Sequence, residues 1–295
     1  MRVTGVMQNL QLLKNLRNIN TAMTVGQNQL ATGQRITKPS DDPIGVGYQM
    51  RYDTDLARDD QFLENAKTGN DILKTMDSLM QQADDVLKRA RTLTLQAANG
   101  TYGQEQRQVI AKEIRQLKEQ MVTIGNSTYN GRYLFNGQKT DQTPYTSATA
   151  STDETDQGLF YLNVSPAVKV PVSISGETIF GAAGTDNVFK VLDDLADSLD
   201  SNSTTGISAA LGKIDDSADR IMLSWAEIGA RMNRFDLMQS RIGDDQNNLH
   251  EQRSEVADVD MPTAITDLKM KENVLQAALS TGARIMQTSL LDFLR

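Results

Sequence analysis

The sequence predicts a mainly α protein: an elongated antiparallel helical bundle or coiled-coil rod that carries a β-hairpin and a small β-rich insert. Three observations predict it. Apolar residues recur at alternating spacings of 3 and 4 through both ends of the chain. Aromatic residues make up only 5% of the 295 residues, which suits a bundle filled by Leu, Ile, Met and Ala better than a thick globular core. Runs of strand-forming residues are confined to 129–137 and 159–180, where Asn-Gly pairs, Gly and Pro punctuate them.

The longest seam organises the rest. It passes through Leu211, Ile214, Ala218, Ile221, Trp225, Ile228, Met232, Phe235, Gln239, Ile242, Gln246, Leu249, Arg253 and Val256. A straight helix over that stretch runs about 69 Å, so other long helices of the chain must cover its apolar edge. Its three polar positions, Gln239, Gln246 and Arg253, gather at the C-terminal side, so the packing should be driest near Trp225 and loosen beyond Phe235.

From the start of the chain, residues 1–40 hold five basic side chains (Arg2, Lys14, Arg17, Arg35, Lys38) and no acidic one. Leu12, Leu16, Ile19, Met23, Gly26 and Leu30 form a thin seam among many Asn and Gln residues. A lone helix of this make-up is marginal in water, and Gly33 is placed to end it. Asp41, Asp42 and Pro43 read as a helix start, because short carboxylates cap free backbone N–H groups and Pro suits the first turn. The helix then runs to about Ala98, with Phe62, Ala66, Gly69, Leu73, Met76, Met80, Ala83, Leu87, Ala90 and Thr94 on a second seam. Ile72, Leu79, Val86 and Leu93 widen its stripe, as a multi-helix bundle requires.

Asn99, Gly100 and Gly103 break that helix, and Ile110, Ile114, Leu117, Met121 and Ile124 mark a third one that ends at Gly125. Asn130-Gly131 and Asn136-Gly137 bracket Arg132–Phe135, a strong hairpin signal. After a Thr/Ser/Asp-rich stretch, 159–164, 168–174 and 177–180 read as short strands, too few to fold without leaning on the helices. Asp186 is placed to cap a short helix from Val188 to Leu199. Asp258, Asp260 and Pro262 interrupt the long helix, and the tail carries Met261, Ile265, Leu268, Glu272, Leu275, Leu279, Gly282, Met286, Ser289 and Phe293 at 4, 3 spacing. Residues 244–267 hold seven acids against one strong base, Arg253, so antiparallel pairing of the two ends would bring Arg35 and Lys38 near Asp258 and Asp260.

These readings divide the chain into three parts. Residues 1–40 and 257–295 are terminal coiled-coil helices expected to be disordered in the monomer. Residues 41–140 and 187–256 form the helical core, with the hairpin near 129–137, and 141–186 is the β-rich insert. The terminal seams, Leu12, Leu16, Ile19, Met23 and Leu30 with Ile265, Leu268, Leu275, Leu279, Met286 and Phe293, are the candidate assembly interface. Helices that stay marginal alone order when neighbouring copies cover them, so the ordering cost falls due at assembly.

Chemistry is bounded by what the chain lacks. A net charge of −8 disfavours nonspecific nucleic-acid binding. No run approaches 18 apolar residues, so no membrane insertion is expected. Without cysteine there are no disulfides or thiolate sites, and His250 is the only histidine, which denies a two-histidine zinc site. Gly45 and Gly47 lie too close together for a phosphate loop. No enzyme activity, catalytic residue, metal or cofactor is expected. The first thirty residues lack a basic segment followed by an apolar run and a small-residue cleavage site, so no cleaved secretory signal is expected either.

The run Gln29-Leu-Ala-Thr-Gly-Gln-Arg-Ile-Thr-Lys-Pro-Ser-Asp-Asp-Pro-Ile-Gly45 and the closing Ser289-Leu-Leu-Asp-Phe-Leu-Arg295 resemble the bacterial flagellin superfamily over about 1–137 and 205–295. The motif positions are Arg35, Ile36, Asp41, Asp42 and Pro43, with Asn136 and Gly137 in the stretch from Gly131. Within the superfamily, that stretch and the closing motif look most like the branch that joins hook to filament. The resemblance implies a flagellin-like helical core and an extracellular structural subunit of the flagellum, exported by the flagellar type III apparatus. It implies self-assembly into a ring, with hook-associated protein 1 on one side and flagellin on the other. A flagellar export chaperone would hold the C-terminal helix. The alternative within the superfamily is a minor flagellin of the filament itself.

Overall fold

The computed structural model describes residues 5–99, 102–185 and 187–293; the side chains of 5, 6, 8 and 285–293 fall outside that description. Among the described residues the elements are α1 (Gly5–Thr32), α2 (Pro43–Ala98), α3 (Gln104–Gly125), β1 (Thr128–Tyr129), β2 (Arg132–Tyr133), β3 (Tyr161–Ser165), β4 (Val168–Pro171), α4 (Gly176–Phe180), α5 (Val188–Asp200), α6 (Thr204–Ala257) and α7 (Met261–Phe293). The mainly helical class stands, with two small antiparallel sheets, β1–β2 and β3–β4. Contacts divide the chain into two compact units, one of residues 1–58 and 245–295, the other of 59–244.

The helix ends follow local chemistry. Gly33 takes a left-handed conformation (φ +71°), and its N–H donates to Gln29 O at 2.8 Å, which closes α1. Asp42 opens α2 by accepting from the N–H of Gly45 at 2.9 Å, with Pro43 in the first position. Asn187 caps α5 by accepting from Phe189 N–H at 2.9 Å; the expected cap, Asp186, and the expected breaker, Gly100, lie outside the described residues.

In the larger unit α2 buries Ala66, Gly69, Leu73, Met76, Met80, Ala83, Leu87, Ala90 and Thr94 along its expected seam. Facing positions on α6 are Ile214, Ile221, Ile228, Phe235 and Ile242, seven apart and buried. Trp225 is half-buried, and its indole N–H donates to Asp77 Oδ1 at 2.5 Å. Beyond Ile242 the next buried residue of α6 is Ala257, in keeping with a seam that turns polar.

The β1–β2 hairpin turns at Asn130 (φ 49°) and Gly131 (φ 76°), both left-handed as a two-residue Asn-Gly turn requires. The β3–β4 pair does lean on the helices: Val164, Val170, Val172 and Ile174 belong to the same buried cluster as α2, α3 and α6. One expectation is corrected. The segment 177–180 is no strand but the end of α4, because the Glu177 N–H finds acceptors in Ser175 Oγ and Thr155 Oγ1 that nucleate a helical turn. That turn carries Phe180 into an aromatic cluster with Phe135, Tyr145 and Phe189, ring centroids 4.7–5.8 Å apart.

Candidate assembly interface

In the smaller unit α1 and α7 pack against each other and run antiparallel. Gln34 and Asp258 form an antiparallel bridge. Further along, Leu268 Cδ1 lies 3.7 Å from where Gly26 would carry a Cβ, and Leu12 Cδ2 lies 2.7 Å from that of Gly282. The register pairs rising numbers on α1 with falling numbers on α7.

This pairing divides the candidate interface residues. Leu12, Leu16, Ile19, Met23 and Leu30 on α1, with Leu268 and Leu275 on α7, are half-buried within the helix pair. Ile265 and Leu279 remain exposed. The side chains of Met286 and Phe293 lie outside the described residues. Met261, at the head of the α7 seam, is exposed as well, as are Met7, Leu10, Leu13 and Val25 on α1 and Met270 and Val274 on α7, and these last six are residues that a single 3, 4 seam does not select. Their signal in the sequence is the width of the apolar arc, since a stripe broader than one seam implies more than one partner helix.

Two antiparallel helices cover only one stripe of each other. On one flank of the pair an open groove of about 690 Å³ is lined by Leu10, Leu13, Leu16, Leu275 and Leu279, with Lys14, Arg17 and Asn20 beside them. Full burial of an exposed leucine stabilises by roughly 1.5–3 kcal/mol, so a further helix laid in this groove would gain several kcal/mol before entropy is counted.

The motif residues build the corner between α1 and α2. Arg35 Nη2 donates to Val256 O at 2.6 Å and to Asp42 Oδ2 at 3.3 Å, while Arg35 N–H donates to Ala257 O at 2.7 Å and Val259 N–H to Gly33 O at 2.9 Å. The chain break before α2 is thereby stitched to the break before α7. Asp258 sits in this corner by its backbone, and its carboxylate lies 4.0 Å from Arg253. Ile36 is buried, its Cδ1 2.6 Å from where Gly45 would carry a Cβ.

Asp41 accepts from the N–H of Lys38 (2.9 Å) and of Thr37 (3.2 Å), and the Lys38 N–H is the main cause holding its carboxyl below the usual range. Asp42 is likewise lowered, chiefly by the Gly45 N–H and then by Arg35. In the larger unit Asn136 is buried; its Nδ2 donates to Gln142 O (3.0 Å) and its Oδ1 accepts from Asp156 N–H (3.1 Å). Gly137 is left-handed (φ +56°) with Asp156 O filling the space of a side chain. The motif is architectural chemistry: turns, caps and close approaches.

Among the described residues no three His, Asp or Glu side chains group to hold a metal ion, and no helix is long and apolar enough to cross a membrane. His250 is exposed on α6.

Residues 3–140 match the bacterial flagellin N-terminal helical region, and residues 211–294 the bacterial flagellin C-terminal helical region. The chain is 25% identical to flagellar hook-associated protein 3 of Escherichia coli strain K12 over 99% of both chains. It is 26% identical to a flagellin of Listeria innocua over 98% of this chain and 96% of that one. A flagellar hook-associated protein of Vibrio parahaemolyticus shares its fold, with a TM-score of 0.70 and 21% identity over 74% of this chain and all of that one. Matched by both halves of the family's helical core, across most of its length, the chain belongs to the bacterial flagellin family.

Proposed function

We propose that this protein is a structural subunit of the flagellum that forms the junction between hook and filament, a reading supported by its end-to-end match with relatives named flagellar hook-associated protein 3. The observation that carries the reading is the α1–α7 pair: it leaves Leu10, Leu13, Ile265, Leu279 and Val274 exposed on helices that already bury one seam in each other. A solitary soluble domain has no use for such a surface, whereas a subunit enclosed by neighbours buries it. The end-to-end match with hook-associated protein 3 supports the junction position.

The partners follow. The subunit assembles with copies of itself, meets hook-associated protein 1 on the hook side and flagellin on the filament side, and is held before export by a chaperone on α7. It acts outside the cell after passage through the type III apparatus. Its role is mechanical coupling, with no reaction catalysed.

The test is a deletion strain. It should secrete flagellin into the medium and build no filament, and full chain supplied in trans should restore filaments. Short or partial filaments in that strain would overturn the junction reading in favour of a minor flagellin. That second reading is supported by the Listeria innocua flagellin, which matches over nearly the same share of the chain.

A further inference from the structure

We propose that Asn130 is a modification site: its side chain cyclises onto the backbone nitrogen of Gly131 with loss of ammonia, and water opens the ring to aspartate or to isoaspartate, the second of which breaks the β1–β2 turn.

Asn-Gly pairs stand at 99–100, 130–131 and 136–137. The reaction needs a reachable amide carbon on Asn, a following nitrogen free to attack it, and no side chain on the next residue in the way. The fold grants all of these to one pair and denies them to another. Asn130 and Gly131 are both exposed. Among the described residues neither the Asn130 side chain nor the Gly131 N–H makes a hydrogen bond, and nothing lies within 4 Å of where Gly131 would carry a Cβ. β1 and β2 hold two residues each, so the turn opens at the cost of few hydrogen bonds. Asn136 and Gly137 are both buried. The Asn136 amide is fixed by Gln142 O at 3.0 Å and Asp156 N–H at 3.1 Å, and Asp156 O fills the space beside Gly137. Gly100, of the first pair, lies outside the described residues.

The Gly131 nitrogen gives up its proton to solvent base as it bonds to Asn130 Cγ. The bond from Cγ to the side-chain nitrogen breaks, and that nitrogen takes a proton from solvent and leaves as ammonia. Water then adds to either carbonyl carbon of the resulting cyclic imide. Cleavage at Cγ restores the peptide and leaves an aspartate; cleavage at the main-chain carbon routes the chain through the side chain and leaves an isoaspartate. Nothing is oxidised or reduced, and water is the co-reactant.

The two products differ in structure. Aspartate tolerates the left-handed conformation that Asn130 holds (φ 49°) and keeps the turn. Isoaspartate adds a carbon to the main chain inside a two-residue loop that sets Tyr129 against Arg132, so the hairpin bonds cannot all re-form. Either product puts a carboxylate into the lining of an open cleft of about 770 Å³ whose charged lining residues are Arg132 and Asp141, and turns that lining from balanced to net negative.

The full chain, held folded at mildly alkaline pH in heavy-oxygen water and then cleaved by trypsin in ordinary water, tests this. Cleavage after Lys118, Arg132 and Lys139 places Asn130 and Asn136 on different peptides. Mass spectrometry should show amide turned to acid at Asn130, carrying one oxygen from the heavy water, more than about tenfold faster than at Asn136. In urea the two pairs should convert at similar rates, and Asn130→Gln should remove the conversion at that position. The isoaspartate fraction, separated by chromatography, should exchange the Leu134 N–H, which donates to Ser127 O at 3.2 Å, faster than unmodified chain, while Asn130→Asp should exchange it like wild type. Asn130 left intact, conversion at Asn136 as fast in the folded chain, a rate difference that persists in urea, acid formed without solvent oxygen, or an isoaspartate fraction with unaltered Leu134 exchange would each overturn the proposal.

Discussion

The ring of Phe235 on α6 occupies the space that a side chain at Gly69 on α2 would need: its Cζ and Cε1 lie 2.5 and 2.6 Å from the position of a Cβ. Both residues are buried, and the ring has no open side into which to swing. In an exposed helix, Gly→Ala stabilises by up to about 1 kcal/mol. Here overpacking wins. Gly69→Ala should destabilise the larger unit by about 1–3 kcal/mol in urea unfolding followed by Trp225 fluorescence, and Phe235→Leu in the same chain should recover part of the loss. An unchanged or raised midpoint for Gly69→Ala would show that the helices simply spread.

Gly137 poses a different problem. Its φ of +56° strains any L side chain, and Asp156 O stands where the Cβ would go. Gly137→Ala should cost about 1–3 kcal/mol and loosen the Asn136–Asp156 contact, read as faster amide exchange at Asp156. Gly131, also left-handed (φ 76°) but with nothing near its Cβ position, should lose less on the same substitution.

Arg107 is buried without a carboxylate partner; its Nε donates to Ala97 O at 3.0 Å and its Nη1 to Asn202 Oδ1. It ties the end of α2 to the turn between α5 and α6. Arg107→Met keeps the apolar stem and removes both donors, and should lower stability by about 1–3 kcal/mol, with Arg107→Lys recovering little because one ammonium does not reproduce the fork. Equal midpoints for Met and Arg would refute this.

The corner between α1 and α2 should be acid-labile. Asp41 and Asp42 both have lowered pKa values in the folded chain, so their contribution is complete above the ordinary value of 3.8 and is lost as pH falls through their folded values. Amide exchange at Lys38 and Gly45 should stay slow at pH 5 and accelerate below about pH 3.8. Asp42→Asn, which keeps an acceptor for the Gly45 N–H, should retain part of the protection at pH 5 and remove the pH dependence there. Protection of Gly45 that persists unchanged to pH 2 in wild type would contradict the assignment.

The order of the long helices, and those termini that rest on local chemistry, were legible, whereas α6 begins at Thr204, about two turns ahead of the seam's first residue, Leu211. Spacing of 3 and 4 marks the stripes, Asp42 and Pro43 open α2, Gly33 closes α1, and Asn130-Gly131 can hardly do anything but turn. Glu177–Phe180 was misread for the reverse reason. Ile and Phe favour a strand, and the acceptor that turns the segment into a helix, Thr155 Oγ1, comes from 22 residues away. The terminal seams were legible as apolar stripes, but a stripe does not name its partner. The fold spends Leu12, Leu16, Ile19, Met23, Leu268 and Leu275 inside the α1–α7 pair and leaves Leu10, Leu13 and Leu279 on its flank.

The sequence by itself determined the long helical segments, the caps and turns at Gly33, Asp42-Pro43 and Asn130-Gly131, and that both ends carry apolar stripes, the first forty residues basic and 244–267 acidic. These depend on residues within a few positions of one another, through caps, turns and periodicity. Tertiary structure alone decided which stripe each helix uses for its own chain and which it leaves for a neighbour. That choice depends on register: the approach of α1 to α7 at Gly26 and Gly282 rotates one face of each helix inward, and no local interaction encodes the rotation.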